Sequence, residues 1–242
     1  MRFTISARGK PDGTPILAFL ARNYATVAIA DIDSVFGFVE RTPLYGGRVF
    51  VKPELTPHDV GEMYYANIGV RLPLTNHYVT EAEYEETAPL LQKYHRDGNA
   101  AIVTNDELAK WIRRDFPKYR IEASVIKNLN SYARVGAALD LYDTVVLPME
   151  LNGDTAFISG LPNKERITLF ANAGCALTCP SKICYVSISK YNKTGDGEFK
   201  CSQPLKQRDM LGMIDFDLDA LQALGFERFK LLRSRPGGQT GY

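Results

Sequence analysis

The stretch FANAGCALTCPSKICY carries Cys175, Cys179 and Cys184, and Cys201 follows shortly after; the rest of the 242-residue chain has no cysteine. Thiolates spaced C-x3-C-x4-C-x16-C can close on one metal centre if the segment folds back on itself. Zinc prefers knuckles of two cysteines separated by two residues, which are absent here. An iron–sulfur cluster tolerates wider and less regular spacing, so an iron–sulfur site on Cys175, Cys179, Cys184 and Cys201 is the expectation, with zinc and structural or redox thiols as the alternatives. A radical-SAM site would want C-x3-C-x2-C near the first strand, and this motif is one residue longer and lies at the other end of the chain. Disulfides would need an oxidising compartment, and the opening MRFTISARGK has no charged region followed by a 7–15-residue apolar core. A cytoplasmic protein with reduced thiols is therefore expected. Nothing approaches 18 consecutive apolar residues, so no membrane span is expected. A net charge of +1 makes no general electrostatic case for nucleic acid or an acidic membrane.

Polar residues with chemical potential follow the apolar runs of the chain. In order they are Arg8, Asp31 and Asp33, Asn76 and His77, Asn105, Lys127 and Asn128, Glu150, Asn172, then Arg233 and Arg235. Glu150 follows the apolar run VVLPM, where a carboxylate aimed into a site with a raised pKa would suit acid–base work. Asn76, His77, Lys127, Asn172 and Arg233 are the candidates for substrate binding, with Lys127 and Arg233 suited to an anionic group. Asn105 has a simpler reading as a helix cap, and Glu150 one as the partner of Arg233 or Lys127. His58 and His95 read as helix-surface residues.

Eight apolar, β-branched runs must position these residues: 2–6, 26–32, 70–76, 100–105, 120–128, 143–151, 166–174 and 228–235. Helical patterns alternate with them. Thr56 with Pro57 marks one helix start, and the Thr80/Glu83 capping box marks another. An irregular excursion between the second run and the Thr56 helix reads as a β-ribbon turning at Gly46-Gly47. Strands alternating with helices at near-constant spacing call for parallel β–α units, and eight of them suggest a single α/β domain, a (β/α)8 TIM-like barrel over 1–242. The cysteines then form an insertion, 175–201, after the seventh strand. An open doubly wound sheet would more often carry a glycine-rich phosphate turn after its first strand, and SARGKPDGTP is not one.

The blocks VVLPMELNGD, ITLFANAGCALTCPSKICY and DLDALQALGFERFKLLRSR resemble, in this order, blocks of the peptidase U32 family. The resemblance is good from residue 145 onward and rests on strand order before it. It implies a TIM-like barrel and, in several members, a 4Fe-4S cluster held by four cysteines. Cys175 and Cys179 match the family's C-x3-C element, and Asn172 and Glu150 match its strand-end positions. Cys184 falls where many members have His, Ala173 where Glu is frequent, and Cys201 stands as the distal cysteine. The better understood members resemble oxygen-independent hydroxylation or RNA-modification proteins acting on ubiquinone precursors, transfer RNA or ribosomal RNA; collagenase-like peptidase activity is the older label. Two functions follow as expectations. One is a cluster-dependent oxidoreductase or hydroxylase acting on a small molecule or RNA. The other is a non-catalytic iron–sulfur partner forming a hetero-oligomer with another U32-like or redox protein. A peptidase ranks third, since the chain has no HExxH or GxSxG motif.

Overall fold

The computed structural model describes residues 1–204 and 210–234. Eight parallel strands close into a barrel in sequence order: β1 Arg2–Ser6, β2 Ile32–Phe36, β3 Gly69–Leu74, β4 Ala100–Val103, β5 Arg120–Ala123, β6 Thr144–Val146, β7 Ile167–Phe170 and β8 Arg228–Leu231, with β8 pairing back on β1. The helices are α1 Ile16–Asn23, α2 Pro57–Tyr65, α3 Glu81–Lys93, α4 Asp106–Asp115, α5 Tyr132–Leu141, α6 Thr155–Ser159, α7 Cys184–Thr194 and α8 Leu218–Ala223. Parallel neighbours need a crossover, and helical segments supply one between each pair of successive strands. Among the described residues no helix is long and apolar enough to cross a membrane.

Local chemistry accounts for the helix starts. Thr56 and Thr80 each accept a backbone N–H from the residue three positions on, and Asp59 and Glu83 return the bond, completing two capping boxes. Asn105 caps α4 by accepting from Leu108 N at 3.1 Å, so its role is structural, as the simpler reading had it.

Three expectations are corrected. The second strand is not 26–32 but Ile32–Phe36; Ile29–Asp31 is a 3-10 turn with no buried residue, leading into the strand. The true strand reads IDSVF, and its two central polar residues hide the apolar pattern. The excursion 37–56 forms no β-ribbon. It crosses the barrel mouth as a loop, and Gly46 lies so close to the end of β3 that a Cβ there would sit 2.4 Å from Thr75 O. Finally, the runs from 100 onward overshoot, because their last residues leave the sheet. Val125–Lys127 and Met149–Gly153 are 3-10 turns that line the mouth.

The outward face of the sheet is apolar. Ile5, Val35, Val70, Leu72, Val103, Ile121, Val145, Leu169 and Phe229 are buried there under the helices. The inward face is not. Arg71 donates to Glu122 at 2.6 Å and to Asp33 at 2.8 Å, Thr144 donates to Glu122 at 3.3 Å, and Lys230 Nζ lies 3.4 Å from Glu122. Bonds from β3 to β5 and from β5 to β8 join strands that are not neighbours, so they cross the interior. Asp33 can join them because β2 bulges: Phe3 opposes Ile32 and Thr4 opposes Ser34, which leaves Asp33 between them. Barrels usually fill this space with branched aliphatic side chains. Here Arg71 is 2% exposed, Glu122 1% and Lys230 5%, a buried charge layer that no local pattern announces.

Candidate functional site

Between β7 and α8 the chain leaves the barrel and passes over the mouth, carrying the four cysteines. Cys175 and Cys179 lie in the descending loop, Cys184 begins α7, and Cys201 lies on the return. The return meets the descent: Ser202 Oγ is 3.1 Å from Cys179 Sγ, and Gln203 donates to Cys175 O at 3.2 Å and to Thr178 Oγ1 at 3.1 Å. Lys200 N, one residue before Cys201, donates to Ser187 of α7 at 3.2 Å. A cysteine seventeen residues beyond Cys184 in the chain is thereby brought back to the other three.

All four thiols are half-buried and none is in a disulfide. Burial pushes the Cys184 thiol up to about 12, and the nearby Cys179, Cys175 and Cys201 add to the shift, as four sulfurs within electrostatic reach must. Cys179 moves the other way: burial raises it, but bonds from Ser202 and from the backbone N–H groups of Lys182 and Ser181, with the Lys182 charge, hold it below the ordinary thiol value. Among the described residues no three His, Cys, Asp or Glu side chains stand in a ready ligating arrangement. The donor set still suits a soft metal or an iron–sulfur cluster. It is four thiols, the type of donor that soft metals and clusters take, with Cys179 held below the ordinary thiol value.

Under this segment the barrel mouth holds a cavity of about 120 Å³. Phe36, Pro73, Ile102, Phe170 and Leu232 supply apolar wall, and Lys230 reaches it from the charge layer below. Gly174, Ala176 and Tyr185 of the cysteine segment line it on one side, Gly46, Gly47 and Arg48 of the 37–56 loop on another. Among the described residues no His, Asp, Glu or Cys lines it. Burial lowers the proton affinity of Lys230; Glu122 opposes that shift and Arg71 adds to it, and the net direction is down.

Of the six residues expected to meet substrate, none lines this cavity; Asn76, His77 and Glu150 bind the cysteine segment, Arg233 binds its two flanks, and Asn172 binds the end of β8. Asn76 is buried and its amide donates to Pro43 O, Tyr45 O and Ser189 O of α7, while its oxygen accepts from Tyr78 N. His77 Nδ1 lies 3.1 Å from Ser189 Oγ, and burial lowers its pKa. Asn172 donates to Arg233 O and accepts from Leu232 N, tying the ends of β7 and β8 together. Arg233 is buried and donates to Ala173 O, Ile214 O and Asp215, clamping both ends of the segment. Glu150 is exposed and pairs at 2.8 Å with Lys182, not with Arg233 or Lys127. Lys127 stands apart, bonded to Thr104 O and Asp106, in a second cleft beside His77. Arg235 lies outside the described residues.

Sequence reasoning missed Lys230 and Tyr185 as cavity residues, and Asn192 as an anchor. Asn192 of α7 donates to Tyr45 O and Arg48 O and accepts from Phe50 N, which binds the two loops over the mouth to each other. The one available signal for Lys230 was a lysine in the middle of an apolar strand, where a charge must have a partner.

No family model and no curated protein matches the chain. Among solved structures, the U32 peptidase Mk0906 is similar at a TM-score of 0.65 over 98% of this chain and 94% of its own, with 13% sequence identity. A glycerophosphodiester phosphodiesterase from Agrobacterium tumefaciens, also 13% identical, covers 73% of this chain and 90% of its own at a TM-score of 0.40. The first likeness shows a U32-like fold, in agreement with the closed eight-stranded barrel.

Proposed function

We propose, from a fold shared with a U32 peptidase, that Cys175, Cys179, Cys184 and Cys201 hold a 4Fe-4S cluster above the barrel mouth, and that the protein is an oxidoreductase or oxygen-independent hydroxylase acting on a small molecule in the cavity beneath. The observation that carries the reading is the shared wall: Gly174, Ala176 and Tyr185 belong both to the cavity and to the segment that bears every cysteine of the chain. A bound cluster would supply one-electron chemistry next to the substrate. The chain's own residues do the remainder. Phe36, Pro73 and Phe170 exclude water, Lys230 provides charge from below, and Ser202 with the Lys182 backbone favours the Cys179 thiolate. The cavity's volume suits a small organic molecule better than a stretch of RNA.

Proteolysis is less supported, because among the described residues the cavity lining offers no histidine or carboxylate to activate a nucleophile. The reading as a non-catalytic partner has one observation in its favour: Ile183, Phe199, Met210 and Ile214, all on or beside the cysteine segment, expose apolar surface. Anaerobic purification followed by iron, sulfide and absorption measurements tests the proposal. A broad band at about 400 nm with iron and sulfide in equal amounts is expected. Zinc in place of iron, or thiols that bind neither, overturns it.

A further inference from the structure

We propose that the mouth cavity binds a small, flat organic carboxylate, its carboxylate on Lys230 Nζ and its ring among Phe36, Pro73, Ile102 and Phe170. This deepens the reading above by naming the class of substrate, and it rests on that reading for the chemistry but on the cavity for the binding.

Size is the first argument. An apolar cavity of about 150 Å³ holds a benzene ring, so one of about 120 Å³ with an open side has room for one ring and little more. Charge is the second. Among the described residues two cationic ones line the cavity and no anionic one does. Arg48 is already committed, since both of its terminal nitrogens pair with Glu54. Lys230 is not so well served. Glu122 gives its Oε2 to Arg71 at 2.6 Å and to Thr144, and the Lys230 contact to Oε1 is long, at 3.4 Å. Its other neighbour is the Phe36 ring, 4.7 Å from Nζ to centroid. An ammonium has three protons to place, and the side-chain bond described for this one, 5% exposed, is the single long contact to Glu122, which leaves donor capacity for an acceptor that enters the cavity Lys230 lines. A carboxylate entering from above supplies that acceptor as a charge-assisted bond in a water-poor site. Shape is the third argument. The side walls are ring and aliphatic carbon, whereas the hydroxyl-bearing residues Thr75, Ser124 and Tyr185 also line the cavity and can meet a polar group elsewhere on the same molecule.

The test is calorimetric titration of the full chain, purified anaerobically, with three probes: benzoate, benzyl alcohol as the uncharged molecule of like shape, and acetate as the charge without the ring. Benzoate should bind at least tenfold more tightly than either of the others. Lys230→Met should bring benzoate down to the level of benzyl alcohol. Ile102→Phe, which fills the cavity and leaves every charge in place, should abolish benzoate binding while iron content stays unchanged. Should Lys230→Met fail to fold, the probe comparison and Ile102→Phe still decide. Acetate binding as tightly as benzoate, benzyl alcohol binding as tightly, benzoate binding that survives Ile102→Phe, or no binding by any probe would each overturn the proposal. Benzoate binding to protein without iron would instead sink the cluster reading and leave this one standing.

Discussion

At Glu122 one carboxylate serves two buried cations, and a single-atom change there has a large expected effect. Glu122→Gln leaves Arg71 and Lys230 facing each other with half their compensation gone. Removing one partner of a buried ion pair costs about 3–5 kcal/mol, and urea denaturation should show a loss of that size. The same carboxylates make stability depend on pH. Burial raises the pKa of Glu122 and Asp33, but the charges of Arg71 and of Lys230 or Arg120 more than reverse this, so both lie below the ordinary carboxylate range in the folded state. A depressed folded pKa contributes stability that is present above the unfolded value of about 4 and is lost as pH falls towards the folded value. Wild-type stability should therefore fall steeply below about pH 4, and Glu122→Gln should flatten that limb; an acid limb of unchanged slope would show that the layer does not hold the charges. The surface pair of Glu150 and Lys182 is a different case. Exposed pairs contribute about 0–1 kcal/mol, so Glu150→Gln should leave melting temperature and iron content near the wild-type values. A marked loss of iron would show that this pair holds the cysteine loop in place.

Among the elements, α7 carries the most consequence, because it fastens the cysteine segment to the 37–56 loop. Asn192 makes three bonds to that loop, and Asn76 and His77 reach Ser189 one turn earlier. Asn192→Ala would take the side-chain partner from Arg48 O and Phe50 N in a mostly buried place, Tyr45 O keeping its bond from Asn76, at about 1–3 kcal/mol. The effect should be local. Hydrogen exchange is expected to quicken in α7 and around Tyr45–Phe50, with the strands of the barrel unchanged; equal quickening in β1 and β8 would mean that the loops and barrel unfold together. The return of the segment is held in its own way. Gly212 has φ +68°, and a Cβ there would sit 2.4 Å from Gly174 O. Only a residue without a side chain lets the two ends of the segment approach so closely.

For the whole molecule, the cysteine segment and the barrel are separable in energy. Among the described residues the main apolar core takes no buried member between Asn172 and Ala220. The segment meets the barrel instead at the small cluster of Val146, Met149, Phe170 and Ala173, against which Ala176 and Leu177 pack, so most of the barrel's stability is expected to be independent of what the thiols hold. Removing the metal with a chelator, or changing Cys201 to Ser, should abolish the iron signal while far-UV circular dichroism keeps its barrel spectrum, and proteolysis should quicken within 174–204. Collapse of the dichroism on metal removal would make the cysteines part of the folding core, as in a zinc finger.

Much of this plan was legible in the residues themselves. Apolar runs, capping boxes at Thr56 and Thr80, and the confinement of four cysteines to one segment are local facts, and local facts survive folding because they depend on neighbours in the chain. Strand count, order and the place of the cysteine segment followed from them. The interior was not legible, since Arg71, Glu122 and Lys230 meet across the barrel from strands 51 and 108 residues apart, and Asp33 joins them only through a bulge in β2. The roles at the strand ends were equally hidden. Asn76, Asn172 and Arg233 are polar residues at a barrel mouth, which sequence reasoning assigns to substrate, but the segment folded over that mouth, its flanks and the end of β8 take up their hydrogen bonds. A pattern can say which residues reach the rim; only the tertiary structure decides what they meet there, because that depends on contacts between chain segments with no fixed spacing in sequence.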